Sequence, residues 1–188
     1  MKKNFDKVYQ FKVTLKGTKP PVWRRIQVPE TYTFWDLHVA IQDAMGWWDY
    51  HLHQFELVNP STGIKTGVGI PDDEFDGEIL PGWKQKIAEW FSMENRLAEY
   101  IYDFGDGWQH TVKLEKILPR EEGISYPICI AGKRACPPED CGGIWGYEGI
   151  CRGESEFQEE YSDYDPEHFD VEEVSFDDPA KRRKIAFE

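Results

Sequence analysis

The sequence predicts an α+β fold: a single domain with a largely antiparallel sheet and helices packed on one face. Three observations lead there. Residues 8–15 and 22–28 alternate apolar and polar side chains across a Gly/Pro-rich turn, the mark of a hairpin. A second pair of strand-like runs, 97–102 and 108–117, flanks Asp103-Phe104-Gly105-Asp106-Gly107, where Asp-Gly signals a reversal. Helical spacing occurs only in short stretches set between strands, which favours helices added to one face of an antiparallel sheet.

In chain order, Val8–Leu15 places Tyr9, Phe11, Val13 and Leu15 on one side of a strand and Val8, Gln10, Lys12 and Thr14 on the other. Gly17–Pro21 turns the chain, and Val22–Val28 returns as a second strand ended by Pro29. Thr33 is a good N-cap, with Asp36 favouring the positive end of a helix. Phe34, Leu37, Ile41 and Met45 keep helical spacing, and Gly46 is placed to stop it. Trp47–Tyr50 is a short aromatic connection into a strand over 51–57. Residues 59–71 form a loop or short hairpin, and 72–82 continue it as an acidic loop. A helix is predicted over 84–91, a last strand over 127–131, and a short helix over 155–161, with another helical turn within 166–174. Residues 135–149 are rich in Pro and Gly and fit a fixed loop.

A chain of 188 residues is one domain by length and can bury a core without staples. Its 40% hydrophobic and 15% aromatic content excludes disorder over most of its length. Eight Trp divide between core and contact surface. The charge is uneven. Residues 154–188 hold thirteen acids against four bases, a net −9 that leaves −4 of the chain's −13 for residues 1–153. That balance gives no footprint for a phosphate backbone, so direct nucleic-acid binding is not expected. The basic run Lys181-Arg182-Arg183-Lys184 reads as a solvated tail. The expected domain is 1–174, followed by a charged tail over 175–188 whose order is left open. No apolar run suits a membrane span, and the start has no apolar stretch of a signal peptide. A cytoplasmic location is therefore expected, with Cys129, Cys136, Cys141 and Cys151 as reduced thiols or metal ligands.

Three stretches could carry chemistry. In His51-x-His53, two residues apart on a strand share a face and could chelate a metal. Tyr102–His110 gathers Asp103, Asp106 and His110 for a metal or for proton transfer, although Asp at a turn also caps its own backbone. There Gly105 and Gly107 suggest positions of positive φ. Ala135–Gly143 holds Cys136, Glu139, Asp140 and Cys141 in a stiffened loop, with looser spacing than zinc pairs usually show. Nucleotide-binding glycine loops, nucleophile elbows and H-E-x-x-H are absent.

Taken together, Trp47-Trp48-x-x-His51-Leu52-His53-x-Phe55, Tyr102-Asp103-Phe104-Gly105-Asp106-x-Trp108-x-His110 and Cys136-Pro137-Pro138-Glu139-Asp140-x-Gly142-Gly143-x-x-Gly146-Tyr147 resemble the family named after open reading frame three of the plasmid pRiA. Asp165-Pro166-Glu167-x-Phe169-Asp170 fits its C-terminal pattern, so the resemblance spans about Val8 to Val174. The resemblance implies a compact α+β domain. It brings no established reaction. Some members bear an insertion-element, resolvase-like label, which implies company on mobile elements and finds no active-site serine pattern here.

The leading functional expectation is a binding module. Trp47, Trp48 and Trp108 would line a cleft with His51, His53, Asp103, Asp106, His110, Glu139 and Asp140. Its partner would be a protein, a peptide or a small molecule. The second is a metal-dependent hydrolase. His51, His53 and His110 with Asp103 or Asp106 would hold Zn²⁺ or Mn²⁺, and Glu139 would act as base, so Asp103, Asp106 and Glu139 are the catalytic candidates. The third is an indirect accessory role in DNA transposition. The last treats all three motifs as purely structural.

Overall fold

The computed structural model describes residues 5–71, 79–156 and 158–187. Eight strands form one sheet: β1 (Lys7–Leu15), β2 (Trp23–Pro29), β3 (His53–Val58), β4 (Lys65–Gly69), β5 (Ile79–Pro81), β6 (Leu97–Tyr102), β7 (Trp108–Pro119) and β8 (Ile128–Lys133). Four helices accompany it: α1 (Phe34–Met45), α2 (Ile87–Trp90), α3 (Gly143–Arg152) and α4 (Pro179–Phe187). The strand order is β5-β4-β3-β6-β7-β1-β2-β8, and every pair except β4–β5 is antiparallel. The α+β class and its antiparallel sheet are those read from the sequence.

Alternation decides which side of the sheet is wet. On β1, Phe11, Val13 and Leu15 are buried and face Ile26 on β2 and Leu114 and Val112 on β7. Helix α1 covers this side. Thr33 and Asp36 form a reciprocal capping box at its start, and Gly46 ends it, as the sequence predicts. Phe34 drops from α1 onto Phe55 and Phe91, with ring centroids 5.2 and 5.8 Å away. A dozen apolar side chains locked in this way make the scaffold rigid beneath the loops.

Four expectations change. The helix over 84–91 shrinks to a 3-10 turn at Gly82–Lys84 and the single turn of α2. The acidic loop over 72–82 lies mostly outside the described residues, and its end, Ile79–Pro81, is strand β5. The Pro/Gly-rich loop gives way at Gly143 to α3, which the glycines had hidden. Those glycines are needed for close approach. A Cβ on Gly146 would collide with the Cys141 carbonyl, and one on Gly143 with the Asp106 carbonyl. The short helix predicted over 155–161 is a 3-10 turn at Gln158–Tyr161.

Residues 175–188, set apart in the sequence as a charged tail, carry α4, which packs on α1. Trp35 donates Nε1–H to the Pro179 carbonyl at 2.9 Å, and its indole meets the Phe187 ring. Arg182 pairs with Asp43 at 2.6 Å. The compact basic run is thus anchored through Arg182. No described helix is long and apolar enough to cross a membrane.

Candidate functional site

The three motif stretches meet at one end of the sheet. In the β3–β6 register His53 lies opposite Tyr102, and Tyr102 lies opposite Trp108. The α1–β3 connection (46–52) and the β6–β7 turn (103–107) therefore leave the sheet side by side. The Asp103 amide joins them by donating to the Leu52 carbonyl at 2.9 Å. The loop between β8 and α3 closes over both. Trp47 donates Nε1–H to the Pro137 carbonyl at 3.0 Å, and the Gly142 amide donates to Asp106 at 3.2 Å.

Within this junction His51, Asp103 and Asp140 each bring a ligand-type atom within 4.8 Å of the other two. His51 Nε2 lies 2.9 Å from Asp140 Oδ1 and 3.6 Å from Asp103 Oδ2. Although it is that close to Asp140, Nε2 makes no directed hydrogen bond. Asp103 divides its work. Oδ1 accepts from the Gly105 and Asp106 amides and caps the turn, while Oδ2 is left for His51. Both Asp103 and Asp140 hold left-handed backbones, φ 54° and 52°, a conformation that Asp adopts more readily than most residues. Gly107 shares that conformation, but Gly105 does not.

Glu139 knits the junction. It accepts from the Trp48 amide at 2.8 Å and from the Tyr102 hydroxyl at 3.1 Å, and that hydroxyl accepts in turn from the Tyr50 amide at 3.0 Å. Burial raises the Glu139 carboxyl above its usual range, opposed by the Trp48 hydrogen bond. Burial likewise raises the Tyr102 hydroxyl, with the Glu139 charge adding to it.

The expected His51–His53–His110 chelate does not form. Strand β3 begins at His53, so His51 lies in the bend before it and period-two alternation does not relate them. His53 turns into the core, where its ring stacks on His38 with centroids 3.4 Å apart. His110, on β7, is fully buried, with Nδ1 3.3 Å from the Tyr100 carbonyl. Burial pushes the His53 imidazole well below its ordinary value and His110 down to about 4. Trp47 and Trp108 are buried beneath the junction rather than lining a cleft, while Trp48 is 73% exposed. Asp106 joins the turn to the third loop and stands outside the cluster. A cleft of about 550 Å³ lies elsewhere, beside Tyr32, Arg120 and Tyr126, and none of the candidate residues lines it. All four cysteines are free thiols. Burial pushes the Cys141 thiol up to about 12 and raises Cys136 as well, so both are neutral thiols.

Sequence reasoning missed the polar group under the site. Tyr100 accepts from the Gln42 amide at 2.9 Å, and its own proton is then free for His38 Nδ1 at 2.8 Å. His38 Nε2 in turn lies 2.8 Å from Asp49 Oδ1. Burial raises the Asp49 carboxyl to about 6, with His53 and Arg182 pulling the other way. The available signal was His38 and Gln42, four apart on the apolar face of a helix.

Residues 7–178 match the family described as plasmid pRiA4b ORF-3-like protein. The chain belongs to that family. Two relatives extend the match. The uncharacterized protein y4hQ of Sinorhizobium fredii is 38% identical over 145 residues, 77% of this chain and 71% of its own length. The crystal structure of the protein of unknown function MM3350 from Methanosarcina mazei superposes with a TM-score of 0.85 at 54% identity, covering 93% of this chain and all of that one. Neither name carries a reaction. The family match ends at 178, so α4 lies beyond it.

Proposed function

We propose that this pRiA4b ORF-3-like protein is a binding module whose site is a divalent metal centre held by His51, Asp103 and Asp140. One observation carries the reading: three loops, separated widely in sequence, bring one imidazole nitrogen and two carboxylate oxygens together without hydrogen-bonding them to one another. In a tetrahedral site with metal–ligand bonds of roughly 2.0–2.2 Å, ligand atoms stand about 3.4 Å apart. The 2.9 and 3.6 Å separations at His51 bracket that value. A nitrogen–oxygen set suits Zn²⁺ or Mn²⁺. Three protein ligands leave a coordination position for a partner's carboxylate, imidazole or water. Trp48 and Tyr50, both largely exposed and next to His51 in the chain, supply apolar contact area beside it.

The same three-plus-one arrangement also suits metal-bound water, which keeps the hydrolase reading as the second one. Glu139 argues for binding over hydrolysis. Its carboxylate is already engaged by the Trp48 amide and the Tyr102 hydroxyl, so it serves as a brace for the loops.

Elemental analysis of protein purified without chelator tests the reading. About one Zn²⁺ or Mn²⁺ per chain is expected, and none in His51→Ala or Asp103→Asn. Affinity should fall with acid, because protons compete for the ligands. A protein that carries no metal and takes up neither ion on titration refutes the proposal. Turnover of an activated ester or phosphate ester by the loaded protein, abolished in His51→Ala, would put hydrolysis first.

A further inference from the structure

The side of the sheet away from α1 has a charge pattern that the whole-chain average conceals. Its residues are the outward-facing partners in register. One row runs Leu97 (β6), Lys113 (β7), Lys12 (β1), Arg25 (β2) and Ala131 (β8). The next runs Glu99, Thr111, Thr14, Trp23 and Lys133. All are exposed or half-exposed. Three cations thus stand directly opposite one another on adjacent strands, an arrangement that disfavours folding. Every acid on this face is already matched. Glu115 holds Arg25 through two hydrogen bonds, Glu99 holds Lys16, and Glu56 holds Lys65. Lys12, Lys113 and Lys133 have no carboxylate within ion-pair distance among the described residues, although the Lys12 charge is felt by Glu115.

The acid-rich segment after residue 153 does not offset them locally. Tyr164, Val174 and Phe176 pack it against the core side of the sheet, and Phe169 lies on Arg24, which also faces that side. The net −13 is therefore an average over two unlike faces.

Among the three unmatched lysines lies Trp23. Lys12 Nζ sits 4.8 Å from its ring centroid and Arg25 Cζ 5.2 Å, so two cations lie over the indole and a stacking base would take the place of one of them. Leu97, at the end of the lysine row, is 57% exposed. A broad sheet face with an aromatic ring beside lysines has little to insert into a duplex groove. It suits a strand whose bases lie flat on the ring while its phosphates reach the lysines.

We propose that this face binds single-stranded nucleic acid, with phosphates at Lys12, Lys113 and Lys133 and a base stacked on Trp23. The inference is independent of the metal centre. It also reverses the expectation drawn from net charge alone.

The test is fluorescence anisotropy with labelled 20-nucleotide oligo-dT and oligo-U and the full chain. At low salt, about 20 mM, a micromolar complex is expected, with a log–log salt slope near −2 for three phosphate contacts. Lys12→Glu with Lys113→Glu should weaken it at least about tenfold and bring the slope to about −0.7. Trp23→Ala should weaken it about tenfold with the slope unchanged. Lys181→Glu with Arg183→Glu, on α4, should have no effect. Circular dichroism and melting check that each variant is folded, and Lys12→Gln with Lys113→Gln replaces the reversal pair if that pair unfolds. No complex at low salt overturns the proposal. So does loss of binding in the α4 pair with retention in the sheet pair. Tighter binding to a duplex of equal length, or equal competition by polyglutamate, also overturns it by pointing to a different polyanion.

Discussion

At the scale of single residues, burial governs the imidazoles. His110 is held at about 4 in the folded protein but titrates near 6.5 when unfolded. Below pH 6.5 the unfolded chain takes up a proton that the native state refuses, so this residue's contribution to stability is lost as pH falls from 6.5 to 4. The magnitude is on the order of 3 kcal/mol. Urea midpoints at pH 7 and pH 4.5 should therefore converge in His110→Asn relative to the parent. The buried carboxyl of Asp49, raised to about 6, acts in the opposite sense over part of this range, but it is common to both proteins and cancels in the comparison. This residue shows how far the sequence could be read. His110 was visible as a site candidate because it sits beside an Asp-Gly turn. Its inward direction was set by β7 register, which pairs it with Tyr100 across the sheet. By contrast His51 and Asp103 were both named and are brought together, since the turn and the bend flank the same strand ends.

Elements were legible where one face of a segment is wet. β1, β2, α1, β6 and β7 all alternate or recur in plain view, and all form near their predicted limits. α3 was concealed because its glycines, which lower helix propensity, are there for close packing against residues 106 and 141. α4 was concealed by composition. A run of four bases reads as solvated, yet Arg182 is the residue that reaches Asp43, whose side chain is nearly buried. Replacing Arg182 with Met should leave that carboxylate without its partner and cost about 1–3 kcal/mol, less than a fully buried pair because Arg182 keeps some solvent contact. For a chain of this size the melting temperature should fall by roughly 2–4 °C per kcal/mol. Tryptophan emission should also shift to the red as Trp35 loses its cover. A variant that melts like the parent would show that α4 is held by its other contacts, such as those of Trp35 and Trp83 with Phe187.

Across the whole molecule, the sheet is continuous from β5 to β8, and the loops at one of its ends hold the proposed metal centre. Unfolding should then be a single transition, and an ion that binds only the native state should raise it. At a free ion concentration about 100 times Kd the gain is about 2.7 kcal/mol, or roughly 5–11 °C in melting temperature. Scanning calorimetry with and without Zn²⁺ checks this, with His51→Ala giving no shift. Two faces of the molecule resisted reading for the same reason. Charge summed over a sequence has no direction, and only strand register gathers Lys12, Lys113 and Lys133 on one side of the sheet.

The three loops that meet at the sheet end also set an order in time. His51 leaves the ribosome about ninety residues before Asp140, an interval of roughly 5–18 seconds at ordinary rates of synthesis. Until Asp140 has emerged, a nascent chain holds only two of the three proposed ligands. If the proposed metal centre needs all three ligands, only a chain completed past Asp140 would retain its ion, and occupancy would report that translation has passed that point.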